Sequence, residues 1–283
     1  MKCLFLYSKA PGRGNVFKHL DYIKRRLNNI YQEVKIIEAK NLAELHYYAK
    51  ESANNYEVLV FSGGDGTFHH IINAIAPLKK RPILGYLPSG TLNDFGRNFG
   101  FSRSLKKSLN TLEKQKVVAF DLGVVNEQHY FSFLLANGAF SNISYATKRS
   151  RVRLFGKLSY YFKAVFAALK KQKYDLVVKI DNQIITKKVP FILLLNGKYA
   201  GGFKIDKTNL YNDGYLQLFL PRVSFLNGLF DFFFTRHKLV SYKVNELIIE
   251  GNFTSSWCLD GEEIVLDKVE ITTLNEHIRI FSN

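Results

Sequence analysis

Cysteine is nearly missing from the chain: there are two, Cys3 and Cys258, far apart and each inside an apolar stretch. They form no metal-binding or redox spacing, so both read as buried thiols. No apolar run reaches membrane-spanning length, and the first residues lack the apolar core and cleavage site of a signal peptide. Strand-forming residues begin at once, in Cys3-Leu4-Phe5-Leu6-Tyr7, and a cytosolic protein is expected. There is no internal repeat and no low-complexity tract. Acidic residues are absent from the whole stretch 128–174.

That gap matters because the chain is basic, with 40 Lys and Arg against 24 Asp and Glu and a net charge of +16. Such a balance implies an anionic partner: nucleic acid, a membrane surface or a phosphorylated ligand. The gap holds Lys148, Arg149, Arg151, Arg153, Lys157, Lys163, Lys170, Lys171 and Lys173. No nucleic-acid-binding module is recognisable around them, and none is expected as a partner. Over 156–173 the apolar residues fall at 158, 161, 162, 165, 166 and 169, the stripe of an amphipathic helix whose polar face is only positive. A helix that packs its stripe on the protein and shows lysines to solvent explains the pattern. A helix lying on an anionic membrane, with Lys157, Lys163, Lys170 and Lys171 at the headgroups, explains the charge as well. The aromatic run at 225–234 reads either as a buried helix or as the rim of an acyl-chain pocket.

At 283 residues, 47% of them hydrophobic, the chain has enough material for two domains with real cores. Residues 1–120 alternate strand and helix, which predicts an α/β domain with a doubly wound parallel sheet. Strands are expected at 4–7, 34–37, 58–61 and 83–87, and the last helix at about 102–114. From 121 to 283 strands predominate, separated by turn signals such as Asn196-Gly197 and Asp213-Gly214, which predicts an antiparallel β-sandwich with inserted helices. The final few residues are candidates to return to the first domain.

The most informative stretch is Ser62-Gly63-Gly64-Asp65-Gly66-Thr67, between a buried strand and an amphipathic helix. A strand, a glycine turn and a helix point free amides and the positive end of a helix dipole at one spot, where phosphate is the usual occupant. The glycines let the backbone approach an anion closely. Asp65 is out of place beside an anion unless Mg²⁺ or an ordered water lies between; the alternative is a tight turn in which Asp65 bonds its own backbone. Thr67 is a candidate helix cap or phosphate donor. The loops at 8–14 and 88–98 also leave strands at the carboxyl edge of the parallel sheet, where ligands bind in such folds.

Taken together, Gly-Gly-Asp-Gly-Thr at 63–67, Pro88-Ser89-Gly90-Thr91-Leu92-Asn93-Asp94-Phe95, Asp121-Leu122-Gly123, Asn196-Gly197-Lys198-Tyr199-Ala200-Gly201-Gly202, Asp213-Gly214 and Leu259-Asp260-Gly261-Glu262 resemble the bacterial soluble diacylglycerol kinase and lipid kinase family, which is related to the sphingosine kinases. The resemblance spans nearly the whole chain. It implies a phosphofructokinase-like nucleotide domain followed by a β-sandwich, and transfer of the γ-phosphate of ATP to a lipid hydroxyl with Mg²⁺. It also implies roles. Ser8, Lys9, Gly12, Ser62, Gly63, Gly64, Asp65, Gly66, Thr67 and Thr91 would meet the nucleotide. Asp65, Asp94 and Asp121 would serve Mg²⁺. Asp213, with the carbonyls of Leu210 and Tyr215, would hold a structural Mg²⁺. Asp260 would be the general base, helped by Glu262, so Asp260→Asn is expected to keep the fold and lose turnover. A homodimer is common in the family. Taken alone, Asp260-Gly261 and Asp213-Gly214 are also ordinary hairpin turns.

The chain departs from the family pattern in three places: its first loop reads Ser8-Lys9-Ala10-Pro11-Gly12, His69 stands where Asn is usual, and Glu38-Ala39-Lys40 replaces an expected Thr. Two rival readings follow. One is an NAD kinase-like enzyme, which shares Gly-Gly-Asp-Gly, although the Asn93-Asp94-Phe95 loop speaks for lipid kinases. The other is a catalytically weak regulatory protein that binds nucleotide or lipid, against which the retained acidic residues argue.

Overall fold

A computed structural model describes residues 1–8, 16–90, 92–138, 174–180, 183–189, 191–200, 203–204, 208–221, 239–253 and 256–283. Lys9, Gly12, Thr91, Lys157, Lys163, Lys170 and Lys171 lie outside the described residues, as does the aromatic run at 225–234. The chain forms two compact units, Met1–Phe120 with Glu276–Asn283, and Asp121–Asn275.

The first unit is an α/β domain. Its elements are β1 (Lys2–Tyr7), α1 (Leu20–Asn28), β2 (Glu33–Glu38), α2 (Leu42–Asn55), β3 (Val58–Gly63), α3 (Asp65–Ile75), β4 (Ile83–Pro88), the single turn α4 (Asp94–Arg97) and α5 (Leu105–Glu113). The strands stand in the order β2-β1-β3-β4 and every pair is parallel. β3 is buried along its whole length, as a continuous apolar run requires of a central parallel strand. The chain leaves β1 toward one side of the sheet and β3 toward the other. The switch point therefore falls between the carboxyl ends of β1 and β3, where Ser8 and Gly64 emerge. Asn41 caps α2 by accepting from the Glu44 amide (2.9 Å), and Ser104 caps α5 by accepting from the Lys107 amide (3.4 Å).

An aromatic cluster fastens the segments after β3 and β4 to each other. Phe68 of α3 and Phe95 of α4 have ring centroids 4.3 Å apart, and Phe95 and Phe120 are 4.8 Å apart. All three are buried. The sequence reads 88–98 as loop throughout; the helical turn at 94–97 forms because burying Phe95 draws the backbone into the core.

The second unit is an antiparallel sandwich. β5 (Val117–Val125) carries the chain into it, followed by β6 (His129–Phe131), β7 (Leu134–Gly138), β8 (Tyr174–Ile180), β9 (Gln183–Val189) and β10 (Phe191–Leu195). The short pair β11 (Tyr199–Ala200) and β12 (Phe203–Lys204) comes next. Then follow β13 (Leu216–Pro221), β14 (Leu239–Val244), β15 (Glu246–Gly251), β16 (Trp257–Leu259), β17 (Glu262–Ile264) and β18 (Lys268–Phe281). One sheet has the order β14-β13-β10-β7-β16-β17, antiparallel throughout. The other places β9, β8, β15 and the first part of β18 side by side, again antiparallel. Alternate residues from both, among them Leu176, Val178, Ile192, Leu194, Leu218, Ile249 and Trp257, form one buried core.

β18 contributes to both units. Its start, from Lys268 to Thr272, pairs with β15, while Ile280 pairs in parallel with Leu84 of β4. The sequence reads these as two separate strands; the polar run Asn275-Glu276-His277 interrupts the apolar pattern without interrupting the backbone.

Candidate active site

In the first unit, the glycine stretch forms the start of α3. Gly64 is the cap residue and Asp65 the first helical residue. The first intrahelical bond runs from the Phe68 amide to the Gly64 carbonyl (3.0 Å), so the amides ahead of it project from the helix end. Gly64, Asp65, Gly66 and Thr67 are all partly exposed there. The cap has no side chain, so Thr67 does not cap the helix; it lies in its first turn, against Gly63. A Cβ on Gly63 would fall 2.3 Å from the Thr67 side chain.

The loop after β4 meets this helix start backbone to backbone. A Cβ on Gly90 would lie 2.4 Å from the Gly64 Cα. Glycine is needed at 90 for the loops to touch, independently of any ligand, and a Cβ on Gly64 would press on the Gly90 Cα at 3.1 Å. Asn93, in the left-handed region at φ 53°, holds Gly90 in place: its Oδ1 accepts from the Gly90 amide (3.0 Å) and its Nδ2 donates to the Gly90 carbonyl (2.8 Å). The buried Tyr86 hydroxyl lies 3.0 Å from both the Gly63 carbonyl and Asn93 Oδ1, joining the two loops from below. Burial, and then the nearby charges of Asp65 and Asp94, push the Tyr86 phenol well above its ordinary value, which keeps it a neutral donor. Ser62 donates to the Leu87 carbonyl (3.1 Å), which places it under the turn as a brace. Ser8 is exposed at the end of β1.

The two candidate site carboxylates of this unit, Asp65 and Asp94, differ. Asp65 is partly exposed, and its Oδ1 lies 3.4 Å from the Phe95 amide. Asp94 is buried, and its Oδ1 lies 3.5 Å from Arg97 Nη1, so that carboxylate already faces a cation. Among the described residues no three His, Cys, Asp or Glu side chains converge as a metal centre. The donor set nonetheless suits Mg²⁺ bound the way this ion prefers, through one carboxylate together with phosphate oxygens and waters. Asp65 is the partly exposed carboxylate of that set.

In the second unit, Asp260 and Gly261 form the two-residue turn between β16 and β17, both at positive φ (51° and 101°), as a type I′ hairpin demands. The hairpin reading of this pair is therefore true, and the carboxylate does more. It is buried and accepts four hydrogen bonds from the 132–134 segment. Oδ2 accepts from the Ser132 amide (2.6 Å) and the Ser132 hydroxyl (2.7 Å); Oδ1 accepts from the amides of Phe133 (3.0 Å) and Leu134 (2.9 Å). Glu262 sits two residues on, partly exposed, opposite Leu259 in the register.

Asn196, fully buried, links this turn to Asp121. Its Nδ2 donates to the carbonyls of Asp121 (2.7 Å) and Ser132 (3.0 Å). Asp121, fully buried in β5, accepts from the Gly214 amide at Oδ2 (2.8 Å), and its own amide donates to the Tyr211 carbonyl (2.7 Å). Asp121 thus anchors the 209–215 loop. Asp213 in that loop bonds Lys243 Nζ (2.7 Å) and accepts from the Tyr215 amide (3.3 Å), while the Leu210 carbonyl accepts from the Gly197 amide (3.2 Å). Of the trio expected to hold a structural Mg²⁺, the Asp213 carboxylate already faces a lysine ammonium and the Leu210 carbonyl already accepts from an amide. Ser132 was missed from sequence, since a serine between two phenylalanines carries no signal by itself.

The model of the diacylglycerol kinase catalytic domain matches residues 2–125. A diacylglycerol kinase of Staphylococcus aureus (strain JH9) is 30% identical over 287 residues, covering 98% of this chain and 91% of that protein. The chain belongs to the diacylglycerol kinase family. It is therefore a member of a kinase family. A diacylglycerol kinase of Bacillus subtilis (strain 168) is 27% identical over 218 residues, with 76% of this chain and 72% of that protein covered. The fold agrees: a crystal structure of a diacylglycerol kinase from Bacillus anthracis (strain Sterne) superposes with a TM-score of 0.85 at 23% identity, over 100% of this chain and 97% of that one. No helix among the described residues is long and apolar enough to cross a membrane.

Proposed function

We propose that this diacylglycerol kinase family member transfers the γ-phosphate of ATP to a hydroxyl of a diacylglycerol-like lipid at an anionic membrane surface. The observation that carries the reading is the start of α3, where exposed amides and two glycine loops in backbone contact form a cradle with one accessible carboxylate, Asp65. Gly63, Gly64, Gly66 and Thr67 receive the phosphates, with Ser8 beside them at the sheet's switch point. Mg²⁺, held by Asp65, would offset charge on the phosphates. The basic residues Lys157, Lys163, Lys170 and Lys171 are the proposed headgroup contacts.

Asp260 is the proposed acceptor of the lipid hydroxyl's proton. The four donors it meets in the 132–134 segment set a condition on that role. Three are backbone amides that cannot turn away; the fourth is the Ser132 hydroxyl, which can rotate. Protonation at Oδ2 is accommodated if the Ser132–Asp260 bond reverses, with the serine oxygen accepting where it had donated. Glu262, two residues on, is proposed to assist by orienting a water or a cation.

The test is transfer of labelled γ-phosphate from ATP, with Mg²⁺, to a panel of lipids in anionic mixed micelles, with NAD as a soluble acceptor. Label in a diacylglycerol that disappears in Asp65→Asn supports the reading. Label in NAD alone, or none in any lipid despite nucleotide binding, overturns it.

A further inference from the structure

We propose that the ion closing the 209–215 loop is the ammonium of Lys243, and that this chain needs no divalent cation there. Asp213 is the loop's only carboxylate, and both its oxygens are engaged: Oδ2 by Lys243 Nζ at 2.7 Å and Oδ1 by the Tyr215 amide at 3.3 Å. The pairing of β13 with β14 delivers the lysine. Lys243 stands opposite Gln217, which makes it the diagonal neighbour of Tyr215, and its Nζ lies 5.8 Å from the Tyr215 ring centroid. Carboxylate on one side and aromatic face on the other is a natural seat for an ammonium. The Asp213 side chain is only 17% exposed, so the lysine covers the site a second cation would need. The Leu210 carbonyl is also engaged, by the Gly197 amide.

Mg²⁺ demands near-octahedral oxygen geometry and gives up its waters reluctantly. A lysine carried by the neighbouring strand demands neither and is always at hand. The loop it fastens holds Asp121 in turn, through the Gly214 and Tyr211 backbone. The inference does not depend on the proposed reaction.

The experiment uses the full chain stripped by chelator, with thermal unfolding and metal content as readouts and Mg²⁺ or Ca²⁺ alone as probes, without nucleotide. Wild type is expected to carry no divalent ion that Asp213→Asn loses, and to unfold at the same temperature stripped or metal-loaded. Lys243→Met removes the charge but keeps the apolar stem. It should lower the unfolding temperature by about 2–4 °C when stripped, with recovery on adding Mg²⁺ or Ca²⁺. Lys243→Arg, which keeps the charge, should unfold like wild type. A stoichiometric divalent ion in wild type that Asp213→Asn loses would overturn the proposal, as would a Lys243→Met protein indistinguishable from wild type when stripped.

Discussion

The Asp260 carboxylate and Ser132 are joined twice, through the serine amide at 2.6 Å and its hydroxyl at 2.7 Å. The same carboxylate binds the next two amides, so one side chain gathers the whole 132–134 segment. Asp260→Asn replaces an acceptor oxygen by an NH₂ group that faces donors. The variant is expected to keep its fold, but at a cost. It should lose turnover and also about 2–4 kcal/mol of stability, read as a lowered denaturation midpoint. An Asp260→Asn protein as stable as wild type would contradict the four-bond arrangement.

Ser132→Ala separates the two roles. Only the hydroxyl bond goes, while the amides stay. A loss of about 1 kcal/mol in stability is expected, with turnover reduced far more than nucleotide affinity. Unchanged turnover would remove Ser132 from the proton path.

Gly90→Ala forces a Cβ to within 2.4 Å of the Gly64 Cα, which is backbone and cannot step aside, and to 2.8 Å of the Asn93 Oδ1 that holds the loop. A cost of about 1–3 kcal/mol is expected, together with loss of nucleotide binding measured by titration. Gly261→Ala makes an instructive contrast. Nothing lies within 4 Å of its Cβ, and only its φ of 101° resists, so nucleotide binding should survive.

His46 carries a pH signature. Burial, and then the neighbouring Lys50 and His69, hold its imidazole below the ordinary 6.5, and its Nε2 is buried without a hydrogen-bond partner. A depressed histidine binds its proton more readily in the unfolded chain. Its contribution to stability is therefore intact above 6.5 and is lost as pH falls from there through the folded value. His277 is depressed in the same direction, chiefly by burial. His46→Leu should flatten the decline in unfolding temperature on acidification, and an identical pH profile would refute the assignment.

Both cysteines are buried, and burial pushes the Cys3 thiol up to about 12. Neither should react with a thiol reagent in the native protein, and both should react in denaturant. Fast native-state labelling of either would contradict the packing of β1 or β16.

The parallel sheet was legible because its inner strands β1, β3 and β4 are buried and so read as nearly unbroken apolar runs, with Val58 to Phe61 the clearest. The glycine turn was legible because strand and helix periodicities flank it directly. The relation between Gly64 and Gly90 was not, since a close approach of two backbones leaves only glycines behind, and glycines have many causes. Strand β9 escaped notice because Gln183–Val189 is an edge strand with lysines along it, and charge masks the alternation. The polar links among Asp260, Ser132, Asn196 and Asp121 join residues distant in sequence, and periodicity carries no information about such pairs. Lys243 was hidden for the same reason: its meeting with Asp213 depends on the β13–β14 register.

The path of β18 has a consequence for the order of synthesis. Glu276–Asn283 pack with the first unit, yet they are translated after every residue of the second. The open flank of β4 must wait through the making of the whole sandwich before Ile280 can pair with Leu84 and His277 can reach the Ala76 carbonyl (2.9 Å). A nascent chain halted near residue 275 would thus hold a finished sandwich sequence and an uncovered edge on the first unit. That edge is where a ribosome-stalled or prematurely cleaved chain is most exposed to aggregation.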